Sequence, residues 1–306
     1  MEHILTERMR VGISACMYGA RVRYNAKGWD MLGYLKRERA NYLWTPVCPE
    51  VMSGMGVPRP PIKLVGGNGI DFWEGNAQIK NRHGRNVSRM MREGAKACIE
   101  TLERADIDAY IFMEGSPSCG VYRTTLKNSR LGKPPGVFGA LLLERQIFLI
   151  PAADLQSPVK WWDWRRRLTA FTWLKRRDMD SVHDMFEVWH TLKFLCQEVD
   201  EKKAREVGHY IASFSKETPI HELYKIRLDI LELLRKPSDA KKVKQWLWKN
   251  YSHLKKQHGI EIDKICPPET LRNMTHIAEE MLAVELEARR EEKLFGSSPI
   301  DYRPSR

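Results

Sequence analysis

The sequence lacks long apolar runs. No stretch of about eighteen consecutive apolar residues occurs in its 306 residues, so no membrane span is expected. The first ten residues do not read as a basic and then apolar leader, so no secretory signal is expected either. The six cysteines form no Cys-x-x-Cys pair. Scattered cysteines without a leader predict reduced thiols in a cytoplasmic protein and argue against a disulfide scaffold.

Acidic residues are in deficit. The chain carries 39 Asp and Glu against 51 Lys and Arg, a formal net charge of +12. This balance favours a polyanionic partner such as nucleic acid, although a basic charge also serves solubility alone. The hydrophobic content of 42% is sufficient for the cores of two domains.

Glycine and strand-like runs become scarce beyond residues 155–159. Before that point, alternating strand and helix patterns predict an α/β domain over residues 1–157, with a Rossmann-like parallel sheet of three or four strands. Beyond it, helical periodicity predicts an all-α domain over residues 158–295. Its helices are expected at 182–199, 204–214, 220–235, 240–258 and 268–294. Residues 296–306 show no periodicity and are expected to pack loosely or not at all.

Three cysteines each follow a predicted strand. Residues 111–120, IFMEGSPSCG, begin as an apolar run, break at a glycine and a proline, and end in a tight turn that carries Cys119. Cys16 follows the short strand 11–13, and Cys48 lies at the end of the apolar segment 42–50. Because the carboxyl ends of parallel strands open into one crevice, we expect the three thiols to converge. Three converging thiolates suggest a metal.

The spacing of these cysteines leaves the metal open. Zinc normally takes four protein ligands, or three and a water molecule. Three thiolates also suit a 4Fe-4S cluster in which one iron has no protein ligand, and purely structural thiols are a third possibility. Cys98 differs from these three because it falls on the apolar face of a helix predicted over residues 86–104, which assigns it to the core.

Three motifs of the first half resemble the thiouracil desulfurase family, TudS. They are Ser14-Ala15-Cys16, Cys48-Pro49-Glu50 followed by Val57-Pro58-Arg59-Pro60, and Ser116-Pro117-Ser118-Cys119-Gly120. The resemblance covers roughly residues 8–155. The helical half, most recognisably FEVWHTLK at residues 186–193, is similar to a domain often fused to that family. The fused form resembles bacterial desulfidases that remove sulfur from 4-thiouridine in tRNA.

The resemblance implies a non-redox desulfuration. Cys16, Cys48 and Cys119 would hold a 4Fe-4S cluster whose open iron binds the thiocarbonyl sulfur and acts as a Lewis acid. Attack by water on the polarised carbon would then leave hydrosulfide and an ordinary uracil. Glu50 lies two residues from a ligand in the same turn and is predicted to be the general base; the alternative is a surface carboxylate.

Five further residues are candidates for catalysis or substrate binding. Ser116 and Ser118 flank the third cysteine and are predicted to hydrogen-bond the base or the departing sulfur, unless they serve only the local backbone. Ser14 precedes the first cysteine within its motif. Arg59, between prolines, is predicted to contact a phosphate or the ring carbonyl, with a solvated side chain as the alternative. Asp71 lies where the family commonly shows Gly-x-Asp, and a helix-capping role competes with a role in the site.

Basic residues alternate with tryptophans in the helical half. Residues 160–177, KWWDWRRRLTAFTWLKRR, and a second cluster within 241–256 combine phosphate-neutralising charge with aromatic rings that stack on bases. The alternative is that the tryptophans form the core and the charges are merely solvated. The predicted RNA-binding residues are Arg165, Arg166, Arg167, Lys175, Arg176, Arg177, Lys241, Lys242 and Lys244.

Three functions follow from these patterns. The first is a tRNA 4-thiouridine desulfidase, because an added basic helical domain suits a large anionic substrate whose base is turned out of its stack. The second is a desulfurase of free thiouracil or thionucleotides, with the helical domain as an oligomerisation or regulatory module. The third is an iron-sulfur sensor or RNA-binding protein without enzymatic activity.

Overall fold

The computed structural model describes residues 3–124, 134–236, 240–259, 261–262, 265–271, 273–293 and 295–305. The chain divides into two compact units. One is Arg8–Gln156, and the other combines Ser157–Arg306 with Met1–Glu7. The first seven residues therefore belong to the helical unit, whereas the sequence analysis assigned them to the α/β domain.

Eight strands and ten α-helices occur in the described residues. The strands are β1 (Ile4–Leu5), β2 (Met9–Ser14), β3 (Tyr42–Val47), β4 (Ile62–Val65), β5 (Gln78–Asn81), β6 (Ala109–Phe112), β7 (Phe148–Pro151) and β8 (Asp301–Tyr302). The helices are α1 (Pro49–Met52), α2 (Gly69–Glu74), α3 (Ser88–Arg104), α4 (Val137–Glu144), α5 (Pro158–Lys175), α6 (Val182–Val199), α7 (Glu201–Ala212), α8 (Ile220–Arg235), α9 (Ala240–His258) and α10 (Met274–Arg290).

The α/β unit is built on a parallel sheet in the order β3-β2-β6-β7. All four residues of β6 are buried, as expected for a strand with helices over both faces. Gly12 in β2 is required by packing, since a Cβ there would lie 2.6 Å from the ring of Tyr110 and 2.8 Å from Leu102. The predicted parallel α/β sheet is confirmed.

Helix α3 covers the sheet through an apolar face, and its observed start at Ser88 is close to the prediction. Its buried residues recur every three or four positions: Met91, Ala95, Cys98, Ile99 and Leu102. The assignment of Cys98 to the core is confirmed, because its side chain is fully buried.

Two parts of the α/β unit differ from what their sequence predicts. The glycines and prolines of residues 51–69 predict a loop, but β4 lies within them and pairs antiparallel with β5. The spacing of residues 29–39 predicts a helix with a charged face, but Met31–Asn41 is 3-10 helix with a kink at Lys36, whose φ is 48°. A residue in that left-handed conformation interrupts α-helical hydrogen bonding.

The helical unit is organised around α5, which is buried on almost every face. A helix that is buried on nearly all sides lies at the centre of its domain, as helices that are apolar on every face do. The predicted helices 182–199, 220–235 and 240–258 are found at those positions as α6, α8 and α9. Helix α7 begins earlier than predicted, because the Asp200 side chain accepts a hydrogen bond from the Lys203 backbone at 3.1 Å and caps it.

The prediction of a loosely packed tail is wrong. Ser297 and Ile300 are 2% and 3% exposed, and β8 pairs in parallel with β1 from the other end of the chain. The Ser298 hydroxyl also donates a hydrogen bond of 2.7 Å to Glu285. A two-residue strand without apolar alternation gives no periodicity signal, so long-range pairing of this kind is invisible in the sequence.

None of the helices in the described segments combines the length and apolarity needed to cross a membrane.

Candidate functional site

The three predicted ligand cysteines leave neighbouring strands of the sheet at the same edge. Cys16 follows β2, Cys48 follows β3 directly, and Cys119 lies in the turn after β6. Because β3, β2 and β6 are adjacent and parallel, their carboxyl ends lie side by side. All three cysteines line one cavity of about 390 Å³. That volume is within the range of small-molecule sites.

The turn that carries Cys119 is fixed by its own backbone and by the start of α4. The amide of Gly120 donates to Ser116 O at 2.9 Å, and the amide of Val137 donates to Pro117 O at 3.0 Å. Gly120 cannot carry a side chain, since a Cβ there would lie 1.9 Å from Arg123 O. The Ser-Pro-Ser-Cys-Gly motif therefore holds the cysteine in one position.

Cys48 is held at the first turn of α1, where Pro49 begins the helix and the Cys48 carbonyl accepts from Met52 N at 2.9 Å. Helix α3 packs closely against this turn. A Cβ on Gly94 would lie 2.3 Å from Pro49 O, so only glycine permits the approach. The sequence positions Cys48 through a proline at the helix start and a glycine beneath it.

The three cysteines are free thiols that influence one another. Burial, followed by the neighbouring Cys48, raises the pKa of Cys16 to about 12. Burial also raises the pKa of Cys48, and it raises that of Cys119 well above the ordinary value, with Cys48 and Cys16 adding to the shift. Three thiolates together therefore need a compensating cation. Within the described residues, no three His, Cys, Asp or Glu side chains are grouped closely enough to share a single metal ion.

Glu50 links the turn of Cys48 to the turn of Cys119. Its Oε1 accepts a hydrogen bond of 2.6 Å from the Ser118 hydroxyl. The Ser118 side chain is fully buried, whereas the Glu50 side chain retains 14% exposure. Glu50 is therefore not a solvated surface carboxylate; it is held at the cavity that it lines.

Ser116 supports Ser118 from the other side. The two hydroxyl oxygens lie 2.9 Å apart, and Ser116 Oγ accepts from the backbone amides of Ser118 and Cys119 at 3.3 and 3.2 Å. Ser118 uses its one hydroxyl hydrogen in the hydrogen bond to the Glu50 carboxylate. In the bond between the two serines, the hydroxyl of Ser116 is therefore the donor. Ser116 thus lines the cavity and acts as a local backbone partner, which is the alternative role; its predicted contact with the base or the departing sulfur stays a prediction.

Arg59 lines the cavity and is bound to Glu50, and its predicted contact with a phosphate or the ring carbonyl stays a prediction. Its guanidinium donates to Glu50 Oε2 from Nε at 2.8 Å and also from Nη2. Its Nη1 donates to Val22 O at 2.9 Å and Gly56 O at 3.0 Å. The side chain is 3% exposed. Arg59 is thus committed to protein partners, so it orients Glu50 and is not the solvated arginine of the alternative interpretation.

Ser14 and Asp71 do not line the cavity. Ser14 is buried, accepts a hydrogen bond from Met113 N at 3.1 Å and lies 3.2 Å from the hydroxyl of Tyr110. Asp71 forms a capping box with Asn68 at the start of α2, accepting from Asn68 N at 2.7 Å. For Asp71 the competing capping role is the one observed, and the substrate contacts of both residues stay predictions.

Arg23 and Thr124 are among the cavity residues that the sequence analysis did not identify. Arg23 lies in the loop after Cys16, and Thr124 lies five residues beyond Cys119. Neither belongs to a recognisable motif; their nearness in sequence to two of the predicted ligand cysteines is the one signal that points to them.

The α/β unit has relatives among known proteins. Residues 11–154 match the family model described as 2-thiouracil desulfurase. The uncharacterized protein YbbK of Bacillus subtilis (strain 168) is 31% identical over 150 residues, which are 47% of this chain and 97% of the relative. The chain belongs to the 2-thiouracil desulfurase family. A solved structure of a 4Fe-4S-dependent thiouracil desulfidase, TudS, is 26% identical, with 47% of this chain and 90% of that chain covered at a TM-score of 0.39.

The helical unit of this desulfurase-family protein corrects two predicted RNA contacts. Arg166 and Arg167 are 3% and 0% exposed, because Asp163 binds both of them. Arg166 also pairs with Glu198, and its Nη1 donates to Ser297 O at 2.7 Å. Charges buried in this way are not available to phosphates, so the prediction is wrong for these two residues.

The two guanidinium groups shift the acidity of the network. Together they lower the pKa of Asp163 to about 2 against the opposing effect of burial. Burial raises the pKa of Glu198, although Arg166 opposes the shift.

The tryptophans of α5 belong to the same core. Trp162 and Trp164 each lie under a guanidinium, at 4.4 Å from Arg166 and 4.1 Å from Arg167. They are therefore core residues and not exposed stacking platforms.

The other predicted RNA contacts vary in exposure. Lys175, Lys241 and Lys242 are exposed, and Lys244 is partly buried. Three arginines are partly buried in ion pairs: Arg165 with Glu285 at 3.3 Å, Arg176 with Glu7 at 2.6 Å and Arg177 with Glu187 at 3.7 Å. Two of the three exposed lysines thus lie on α9, which also exposes Lys249 and Lys256 of the same predicted cluster.

Proposed function

We propose that this protein removes sulfur from thiolated uracil, and that its substrate is 4-thiouridine in tRNA, which it converts to uridine with release of hydrogen sulfide. One observation carries the proposal. Three cysteines follow three adjacent parallel strands and line the same cavity as Glu50, whose Oε1 accepts a hydrogen bond from the Ser118 hydroxyl. Membership of the 2-thiouracil desulfurase family supports it.

The three thiols fit a 4Fe-4S cluster better than a single zinc ion. Zinc requires its ligands to surround one ion, and the described residues offer no such group. In a cluster each thiolate binds a different iron, so the sulfurs need not share one ion. Cys16, Cys48 and Cys119 would hold three irons. When bound, the cluster supplies an iron without a protein ligand, a soft Lewis acid suited to a thiocarbonyl sulfur.

Glu50 is the base that the reaction requires. Desulfuration replaces the C=S bond with C=O, and a water molecule supplies the oxygen, so a proton must leave the attacking water. Oε2 of Glu50 accepts a hydrogen bond from Arg59, whereas Oε1 accepts one from Ser118. The Glu50 carboxylate takes up the water proton, and the hydroxyl of Ser118 steers that carboxylate. Sulfur leaves as hydrogen sulfide, so no electrons are gained or lost overall.

A tRNA substrate suits the charge of the helical unit. Helix α9 carries lysines at Lys241, Lys242, Lys244, Lys249 and Lys256, and the whole chain has a net charge of +12. Lysines on an exposed helix bind phosphates without reading sequence. A thiolated base must leave its stack to reach a cavity of this kind, at a cost of roughly a few kcal/mol that phosphate contacts offset.

The test uses full-length protein purified without oxygen. We expect about four iron and four acid-labile sulfide per chain. The protein is then incubated with thiolated tRNA and, separately, with free 2-thiouracil and 4-thiouracil, and sulfide release and loss of thiocarbonyl absorbance are measured. Sulfide from tRNA supports the proposal. Zinc, or no metal under these conditions, contradicts it.

A desulfurase of free thiouracil is the second candidate. The observation that favours it is that the cavity is lined wholly by residues of the Arg8–Gln156 unit, the same unit that the family model covers. A small base needs no more than this cavity. Turnover of the free bases without turnover of thiolated tRNA would select this candidate. If the Glu50→Gln variant replaced the wild-type protein in the cell without any change in function, a non-enzymatic sensor would be indicated instead.

A further inference from the structure

Two polar atoms at the cavity are buried and have no hydrogen-bond partner among the residues that the structure describes. They are Nη1 of Arg23 and Oγ1 of Thr124, and both side chains line the cavity with the three cysteines. Leaving a buried donor unpaired is costly, so such atoms in a folded protein require an explanation. Their place in the wall of the proposed site suggests that a bound molecule supplies the missing partners.

Arg23 is held in place by the protein. Its guanidinium lies over the ring of Trp29, 4.2 Å from the ring centroid, and 5.7 Å from that of Tyr24. Arg59 anchors the same loop, since its side chain donates to Val22 O and its amide donates to Tyr24 O at 3.0 Å. A planar group fixed by stacking loses little freedom when it binds a ligand. The free Nη1 is thus preorganised as a donor.

The chemistry of the two groups is complementary to a uracil ring. A guanidinium can only donate hydrogen bonds, and a threonine hydroxyl can donate or accept. Beside its thiocarbonyl, a thiouracil ring presents an N–H donor and a carbonyl acceptor. We propose that Arg23 donates to the carbonyl oxygen that sulfur does not replace, and that Thr124 accepts the ring N–H. This inference rests on the proposed function and adds to it the residues that select the base.

The same pair disfavours a ring that lacks the second carbonyl. In 4-thiouracil the carbonyl that sulfur does not replace is at C2. 4(3H)-pyrimidinone lacks this carbonyl but keeps the ring N–H and the carbonyl at C4, so Nη1 of Arg23 would remain unpaired. A site built to hydrogen-bond one group rejects an analogue that lacks it, because the buried polar atom of the site then has no partner. Arg23 thereby sets a preference for uracil over 4(3H)-pyrimidinone.

A competing role for Arg23 is charge compensation of the cysteines. The Arg23 guanidinium lowers the pKa of Cys16 against the larger effect of burial, so the two groups interact. If compensation were its whole purpose, removing Arg23 would reduce the iron content and leave base selection unchanged. The two roles therefore differ in a measurable way.

The test measures binding of uracil, the desulfurated base, and of 4(3H)-pyrimidinone to the full-length holoprotein by NMR titration under argon. Wild-type protein is expected to prefer uracil by roughly tenfold or more. Arg23→Ala should weaken uracil binding roughly 10- to 100-fold, leave 4(3H)-pyrimidinone binding unchanged and so remove the preference, with iron content intact. Thr124→Val should weaken uracil binding and Thr124→Ser should restore it. Arg21→Ala, an exposed arginine of the same loop, is the matched control.

Three outcomes overturn the inference: Arg23→Ala retains the preference for uracil, it loses iron while uracil affinity is unchanged, or it weakens only binding of uridine 5′-monophosphate and not of uracil. The last result would assign Arg23 to a phosphate. Sulfide release by the wild-type protein is measured in parallel. If wild-type protein binds uracil through Arg23 but desulfurates no thiolated substrate, the proposed function fails and the assignment of Arg23 stands. If wild-type protein does not bind uracil, the assignment of Arg23 fails.

Discussion

The Ser118 hydroxyl donates a 2.6 Å hydrogen bond to Glu50 Oε1, across 68 residues of sequence. The bond joins the turn after β6 to the first turn of α1, so it ties together the segments that carry Cys119 and Cys48. Arg59 holds the other carboxylate oxygen, so both oxygens of Glu50 have a fixed partner. If Glu50 is the base, as proposed, its position is preorganised for proton transfer.

Glu50→Gln is therefore expected to slow desulfuration by roughly 10²- to 10⁴-fold, the usual contribution of a general base. The amide cannot take up the proton of the attacking water, yet it preserves the shape of the side chain. The measurement is the rate of sulfide release from the thiolated substrate, together with iron content to show that the cluster remains. Glu93→Gln, on an exposed face of α3, serves as the control. A full rate in Glu50→Gln would remove Glu50 from the mechanism.

Cys119→Ala should abolish cluster binding. The thiol is buried in the cavity wall and has no substitute among the residues that line the cavity, so two cysteines would remain for three irons. We expect the iron and sulfide content of anaerobically purified protein to fall to near background, with loss of the cluster's visible absorbance.

Cys196→Ala is the matched control, because this cysteine is also buried but lies on α6 of the helical unit. It should retain the wild-type content of iron and sulfide. Wild-type iron content in Cys119→Ala would contradict the assignment of the ligand.

Arg59→Lys should cost stability and activity together. The arginine donates to Glu50 and to two backbone carbonyls at once, and a lysine ammonium cannot reach all three from one position. Leaving buried acceptors unpaired should lower the free energy of unfolding of the α/β unit by roughly 2–5 kcal/mol. Urea unfolding and sulfide release measure the two effects. Arg89→Lys, whose side chain is 92% exposed, should change neither.

The strand-end cysteines were predictable from sequence because each follows an apolar run and a turn, and parallel strands share one edge. The pairing of Glu50 with Arg59 was not predictable, since it depends on a loop that places the arginine inside the unit. Arg166 and Arg167 were misjudged for a related reason. An arginine in a sequence is presumed exposed, and its burial depends on acidic partners such as Glu198, 32 residues away. Local patterns thus predicted the parallel sheet and the convergence of the three cysteines, whereas the positions of these arginines depend on long-range ion pairs.

Asp163→Asn should strongly destabilise the helical unit. The carboxylate lies between two fully buried guanidinium groups, and its removal leaves positive charge unpaired in the core. Breaking a buried ion pair in this way costs roughly 3–5 kcal/mol. The measurement is thermal or urea unfolding followed by far-UV circular dichroism. Asp178→Asn, at an exposed position beyond α5, is expected to change little.

The cost of Asp163→Asn should depend on pH. The pKa of Asp163 is lowered from 3.8 to about 2, so the ionised group contributes stability above its unfolded value and loses that contribution as pH falls through about 2. The difference between wild type and variant is thus expected to be constant above about pH 5 and to shrink below pH 4. A difference that grows on acidification would contradict the assigned ionisation.

The lysines of α9 provide the test of RNA binding. Replacing Lys241, Lys242, Lys249 and Lys256 together by alanine should weaken tRNA binding and reduce its dependence on salt. With fewer phosphate contacts, binding releases fewer counterions from the tRNA. The slope of log affinity against log salt should fall by roughly 0.7 to 0.9 for each contact removed. Turnover of a free thiouracil, if the protein has it, should be unchanged, since these residues lie outside the cavity. Lys216→Ala, exposed on the turn between α7 and α8, is the control. An unchanged salt slope in the fourfold variant would exclude α9 as the tRNA-binding surface, and the extra helical unit would then be better explained by a protein partner.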